Sequence, residues 1–347
     1  MERIMEATKS RGGVKHFLLI CHTIFHQVRT IQIKNGGIVV DDEVRLTNIR
    51  ADSYVGTEDC IEKGHAFING PVENHELAFR YVFHKVFDET YKFAKDYYYA
   101  KRAEEDKKYV EKIGLSIEEP EEYIEGEVNK EVDLTKVIDR LKLISGRLYM
   151  EKDVDVEIRI NVCNDVHYKM SSDGKKIKEN DFYIEIEIKA FLFLNDGKYE
   201  VGEYLRICDD EELDVVELNK KIKKLGEHID ELKNSEIQYP KKNCVIYMKG
   251  GFGTLIHEAI GHHFEEHENP EEESENYMGR KGEAAFPNFL TVVDDPLLDR
   301  WGSLKYDAEG VRAQPVILIH KGVINDTLNS RATAGRHNRK SNGHSRA

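Results

Sequence analysis

The hydrophobic pattern of this chain changes period several times, and each change predicts an element. Phe17 to Phe25 is the most apolar run, interrupted by His22, and reads as a first core strand or helix behind a ragged start. From Ile31 to Ile49 apolar residues alternate loosely around Asn35-Gly36-Gly37, which predicts strand, turn and strand. From His75 the spacing becomes three and four: Leu77, Phe79, Val82, Phe83, Val86, Phe87, Tyr91 and Ala94 share one stripe of an amphipathic helix running past Lys101. Its continuation to about Tyr123 is dense in Glu and Lys and reads as a solvated helix end and loop. Val154, Val156, Ile158, Ile160 and Val162 alternate with polar residues, the mark of a half-buried strand. Phe182 to Leu194 repeats the device with Ile184, Ile186 and Ile188, then turns through Asn195-Asp196-Gly197, so the two strands are expected to be antiparallel neighbours. Leu213 to Leu232 is a second amphipathic helix, closed by Tyr239-Pro240 because a residue before proline is pushed away from helix.

These elements give an α+β chain in two parts. Residues 1–240 form an α/β-type half with antiparallel strands and long amphipathic helices, and 241–347 form a second domain. A length of 347 residues fits two domains. The second part opens with a short strand, Cys244 to Met248, and glycines at 250, 251 and 253 that suit a tight strand-to-helix turn. No lysine follows them at phosphate-loop spacing, so nucleotide binding is not expected.

Charge narrows the function. With 65 acids against 51 bases the formal net charge is -14, which argues against a nucleic-acid binder. Five scattered cysteines without a C-x-x-C fit a reducing, cytoplasmic setting. The Phe17 to Phe25 run falls short of the roughly 20 residues a bilayer needs, and no small-residue cleavage site follows it, so neither membrane insertion nor export is expected.

The chemistry concentrates in Leu255-Ile256-His257-Glu258-Ala259-Ile260-Gly261-His262-His263-Phe264-Glu265-Glu266-His267. Imidazoles suit zinc and similar divalent ions, and a glutamate beside a ligand can act as general base. Two motifs overlap here. His257-Glu258 to His262 is H-E-x-x-x-H, and His263 to His267 is H-x-x-E-H. Regular helix geometry favours the second, because five residues turn about 500° and leave His262 about 140° from the His257 face. The first pair can share a metal only on a locally widened turn, such as a π-bulge, and Gly261 tolerates that distortion. His263, Glu265 and His267 remain candidates for accessory ligands.

The wider context favours the first pair. Gly253-Thr254-Leu255-Ile256-His257-Glu258-Ala259-Ile260-Gly261-His262 resembles the signature of the TldD/PmbA family of metallopeptidases. Later blocks resemble the family's in the same order: Thr291 to Asp295, Trp301-Gly302-Ser303, Asp307-Ala308-Glu309-Gly310, Leu318-Ile319 with Gly322, and Leu328 to Gly335. The resemblance is strong from about Gly250 to Ala347 and weak before it.

The resemblance implies a partial β-rich metallopeptidase domain with His257 and His262 as metal ligands, Glu258 as general base and zinc as the expected ion. It implies a cytoplasmic enzyme that pairs with a similar subunit, as homodimer or heterodimer, and cleaves unfolded or leader peptides. The family's third ligand is a cysteine beyond these blocks, whereas all five cysteines here precede His257. The domain is therefore expected to be truncated relative to the family. Glu265, His267 or a partner chain could complete the shell; the alternative, if none does, is a non-catalytic subunit that grips a peptide or partner. Asp294, Asp295, Asp307 and Glu309 read as turn and strand-end acids ahead of calcium-like ligands. Glu265 to Glu275 reads as a solvated acidic loop, and the basic stretch Arg331 to Arg346 as an exposed segment.

Overall fold

The computed structural model describes residues 15–57, 60–71, 75–103, 114–126, 132–194, 197–208, 215–236, 249–266, 277–298 and 302–345. The apolar start is the strand β1 (Lys15–Lys34), which turns back as β2 (Gly37–Thr57). Asn35 and Gly36 take left-handed φ values of 48° and 91°, as a two-residue hairpin requires. The Asn35 side chain ties the turn to the next strand, accepting from Val156 N at 2.8 Å and donating to Asp155 Oδ1 at 2.9 Å. The strands β3 (Cys60–Asn69), β4 (Glu121–Ile124), β5 (Asp155–Ser171), β6 (Lys175–Leu194) and β7 (Gly197–Cys208) complete a seven-stranded sheet. Its order is β3-β2-β1-β5-β6-β4, with β7 also paired to β6. β5 and β6 are the expected antiparallel neighbours, Ile158 opposite Ile188 and Ile160 opposite Ile186.

Three helices cover one face: α1 (Glu76–Ala103), α2 (Thr135–Lys152) and α3 (Val215–Lys233). Phe83, Val86 and Phe87 of α1 pack on Leu19, Cys21, Ile49 and Ala51. The approach is close enough that a Cβ on Gly64 of β3 would lie 2.0 Å from the Thr90 carbonyl, so only glycine fits there. α2 and α3 bury Leu141, Leu218, Leu225 and Ile229 against Ile158, Ile160, Ile184, Ile186 and Ile188. Among the described residues no helix is long and apolar enough to cross a membrane.

The other face of the sheet is polar. On adjacent strands His22 Nε2 meets His167 Nδ1 at 3.1 Å, and His26 Nδ1 meets Asp165 Oδ1 at 3.0 Å. Burial, and then nearby Lys169, push His22 and His167 below the usual histidine range, His167 to about 4. The hydrogen bond to Asp165 raises His26 instead.

The C-terminal part adds α4 (Lys249–Ile256) and a small sheet of β8 (Val292–Asp294), β9 (Val316–His320) and β10 (Val323–Ile324) in the order β10-β9-β8. The short helix α5 (Arg331–Arg336) follows, opened by a capping box between Ser330 and Thr333. The strand-to-helix turn expected at 250–253 does not occur: those glycines lie inside α4. Glu121 to Ile124 is strand, not loop, because β6 offers it a free edge where β7 is not paired. The stretch from Arg331, expected to be exposed, begins buried, at Arg331 to Ala334. Arg331 is 2% exposed and donates from Nε and Nη2 to the Ser116 carbonyl at 3.2 and 3.0 Å, and from Nη2 to Asp173. Glu309 accepts from Tyr54 Oη at 3.1 Å and from Arg331 N at 2.7 Å. Tyr306 donates to Glu121 at 2.8 Å. These bonds lay residues 302–345 across one end of the large sheet, where Ala332 packs on Leu18, Ile20 and Tyr54. The strand expected at Cys244 to Met248, the Tyr239-Pro240 closure, the domain boundary at 240 and Trp301 lie outside the described residues.

Two side chains of this polar framework can be tested directly. Arg331→Met strands the Ser116 carbonyl and the Asp173 carboxylate, and is expected to cost about 3 kcal/mol in urea unfolding. His167 stays neutral in the fold down to about pH 4, whereas the unfolded residue takes up a proton near 6.5. The unfolded state binds more protons in that window, so stability falls as pH falls through it. His167→Asn is expected to lose less stability than wild type between those pH values, by on the order of 1–3 kcal/mol, read as the change in urea midpoint with pH.

Candidate metal centre

α4 does not stop at Ile256. It widens into a π turn, His257–Gly261, and tightens into one 3₁₀ turn, His262–Phe264. The His262 N–H bonds the His257 carbonyl five residues back, the widening that the H-E-x-x-x-H spacing needs. Gly261 takes ordinary helical angles (φ -51°, ψ -58°), and a Cβ there would meet only ordinary contacts, 3.8 Å from the Ile256 carbonyl and 4.0 Å from His257 Nδ1. The turn therefore does not require glycine at 261.

What holds this turn is its other side. Ile260 and Phe264 are buried against Val316, Leu318, Ile319 and Ile324 of the small sheet, with Ile256 packed beside them. The apolar row at intervals of four faces the sheet and leaves His257, Glu258 and His262 outward. The two imidazole rings stand 4.7 Å apart between centroids, inclined at 69°. Glu258 Oε2 is 3.8 Å from His262 Nε2. One ligand atom from each of these three residues lies within 4.8 Å of the others, and among the described residues no other His, Cys, Asp or Glu cluster is so arranged. Two convergent imidazoles with a carboxylate fit a divalent ion such as zinc.

Among the described residues the neighbouring candidates do not join this group. His263 packs its ring edge-on to Tyr277, with centroids 6.0 Å apart, and is not part of the group. The chain turns extended at Glu265 (φ -77°, ψ 129°), which interrupts the regular helix that the H-x-x-E-H spacing assumes. Glu266, the acid of that motif, is buried and bonded to Thr327 and Arg339. His267 and the acidic stretch after it to residue 276 lie outside the described residues. Glu265 Oε1 sits 3.1 Å from His262 Nδ1, a contact that the acid three residues after the second histidine could have suggested.

The later acids hold structure. Asp294 pairs with His344 Nε2 at 3.0 Å, and Asp295 accepts from Leu297 N at 3.0 Å within a turn. Asp307 accepts from the backbone N–H groups of Glu309, Val311 and Ser345. Burial raises both the Asp307 and the Glu309 carboxyls, and the nearby Glu309 charge adds to the rise at Asp307.

Comparison with known proteins bears on the segment that carries this turn. Residues 240–347 match the family described as the PmbA/TldA metallopeptidase C-terminal domain. A metalloprotease of Methanothermobacter thermautotrophicus is 44% identical over 82 residues, 24% of this chain and 18% of that protein. One from Methanocaldococcus jannaschii is 29% identical over 270 residues, covering 70% of this chain and 58% of its own length. The chain thus spans less than two thirds of these relatives. Among solved structures, TldE from Thermococcus kodakarensis superposes with a TM-score of 0.65 at 13% identity, over 98% of this chain and 71% of its own. A protein of Thermotoga maritima described as a putative modulator of a DNA gyrase gives 0.59 at 16% identity, over 99% and 73%. Those two likenesses show the α+β fold. Residues 240–347, which carry the histidine turn, match the C-terminal domain of the PmbA/TldA metallopeptidases.

Proposed function

We propose that this chain is a metal-dependent peptidase of unfolded or leader peptides, with zinc held by His257 and His262 and with Glu258 as general base. The observation that carries the reading is the π turn, which brings two imidazoles five positions apart to face one another beside a carboxylate. An ion bound there supplies Lewis acidity, acidifying a water and polarising a peptide carbonyl. The chain's own residues do the rest. Glu258 Oε2 can take a proton from the attacking water and return it to the leaving amine. An extended peptide suits β-addition, and β8 forms an outer edge of the small sheet on which the metal helix packs.

A second reading rests on exposure. The side chains of His262 and Glu258 are 51% and 64% exposed, and catalytic zinc normally takes three protein ligands. A chain that pairs with a second TldD/PmbA-like subunit would cover this surface, as homodimer or heterodimer. Without a third ligand the chain would bind peptide or partner and not cleave. Cytoplasmic location and the absence of nucleic-acid and membrane partners belong to the same proposal.

The variants separate the readings. Glu258→Gln is expected to keep zinc, read by elemental analysis, and to lose peptide cleavage by about 10²–10⁴-fold. His257→Ala or His262→Ala is expected to lose zinc, whereas His263→Ala keeps it. Stoichiometric binding of an unfolded peptide with no turnover by wild type would favour the second reading. Zinc lost on His263→Ala and kept on His262→Ala would overturn the metal assignment.

A further inference from the structure

The acid next to this cluster has a separate job in view. Glu265 follows His262 by three residues, at the point where the chain has left the helix. Its Oε1 lies 3.1 Å from Nδ1 of His262. A carboxylate only accepts, so in the neutral imidazole this bond places the ring proton on Nδ1 and leaves Nε2 with its lone pair. Nε2 is the nitrogen that stands 3.8 Å from Glu258 Oε2.

The position of Glu265 is held from both sides by main chain. Glu265 forms a parallel bridge with Leu328, Leu328 N donates to the Phe264 carbonyl at 2.8 Å, and Glu266 N donates to the Leu328 carbonyl at 2.9 Å. The Glu266 side chain is clamped by Thr327 and Arg339, and Arg339 also reaches Asp326. Glu265 is therefore delivered to one edge of the His262 ring by a bonded strip and not by a free loop.

We propose that Glu265 is a positioning residue for the metal centre: it fixes the tautomer and ring plane of His262 so that Nε2 faces the ion, and is not itself a ligand. This rests on the metal-centre reading above. As a ligand, its oxygen would have to leave Nδ1 and reach the opposite side of the ring. As an orienting carboxylate it already stands where such groups act on metal-bound histidines, and their loss typically costs 10–100-fold in metal affinity.

The test compares wild type with Glu265→Ala and Glu265→Gln, using zinc affinity by chelator competition, the absorption spectrum with cobalt(II), and His262 ring nitrogen shifts by NMR without metal. Glu265→Ala is expected to weaken zinc binding by roughly 10–100-fold, to keep the cobalt band pattern, and to let His262 populate the Nε2–H tautomer. Glu265→Gln, which retains an acceptor oxygen, is expected to recover most of the affinity and the tautomer. Unchanged zinc affinity and tautomer in Glu265→Ala would overturn the inference while leaving the metal centre intact. A cobalt spectrum altered as for a lost ligand, with no recovery by Gln, would overturn it in favour of direct coordination. Failure of wild type itself to bind zinc would remove the metal-centre reading and this inference with it.

Discussion

One backbone hydrogen bond sets the character of the site. The His262 N–H reaches the carbonyl five residues back, where an α-helix would reach four. In a regular helix the two imidazoles would lie about 140° apart and could not share a ligand. The extra residue in the turn closes most of that angle and brings the rings within 4.7 Å. The distortion persists because the opposite side is buried: Ile260 and Phe264 are held in the small sheet's core whatever the histidines do. Packing fixes the helix from beneath and leaves its outer face available for chemistry.

That packing is itself supported at long range. The strip around Leu328 that ends the histidine helix continues into α5, whose Arg331 is buried against the Ser116 carbonyl and Asp173. Glu309 joins the same arrangement to Tyr54 on β2, 255 residues earlier in the chain. Buried charges are costly unless bonded, so these contacts constrain how the C-terminal segment lies on the large sheet more tightly than apolar contacts alone would. Asp307 and Glu309, which the motif pattern alone left open to a ligand role, take their donors from backbone N–H groups and from Tyr54.

The sheet divides labour between its faces. One face is a continuous isoleucine-rich surface under three helices. The other carries paired histidines and acids, with its end closed by residues 302–345. Solved structures at 13% and 16% identity share the fold over nearly the whole chain, because the fold needs the alternation of apolar and polar positions and not particular residues.

Apolar period was enough to find the elements in which it is strong: the β1–β2 turn with the strands beside it, the stripe of α1, the paired strands β5 and β6, and α3, while Phe17 to Phe25 stayed open between strand and helix. The H-E-x-x-x-H spacing likewise requires a widened turn if His257 and His262 are to face one ion. The same signals did not reveal α2, whose row is broken by buried Ser145, or β3 and β7, which carry many polar residues. Three further matters depended on long-range packing. The glycines at 251 and 253 are helical because the helix they begin is held by its later residues against the small sheet. Glu121 to Ile124 is a strand because part of the β6 edge was open to it. Arg331 is buried because a carbonyl and a carboxylate from distant segments meet it there. Periodicity reports which side of an element is apolar; what covers that side, and which polar groups find partners beneath the surface, depends on residues far away in the chain.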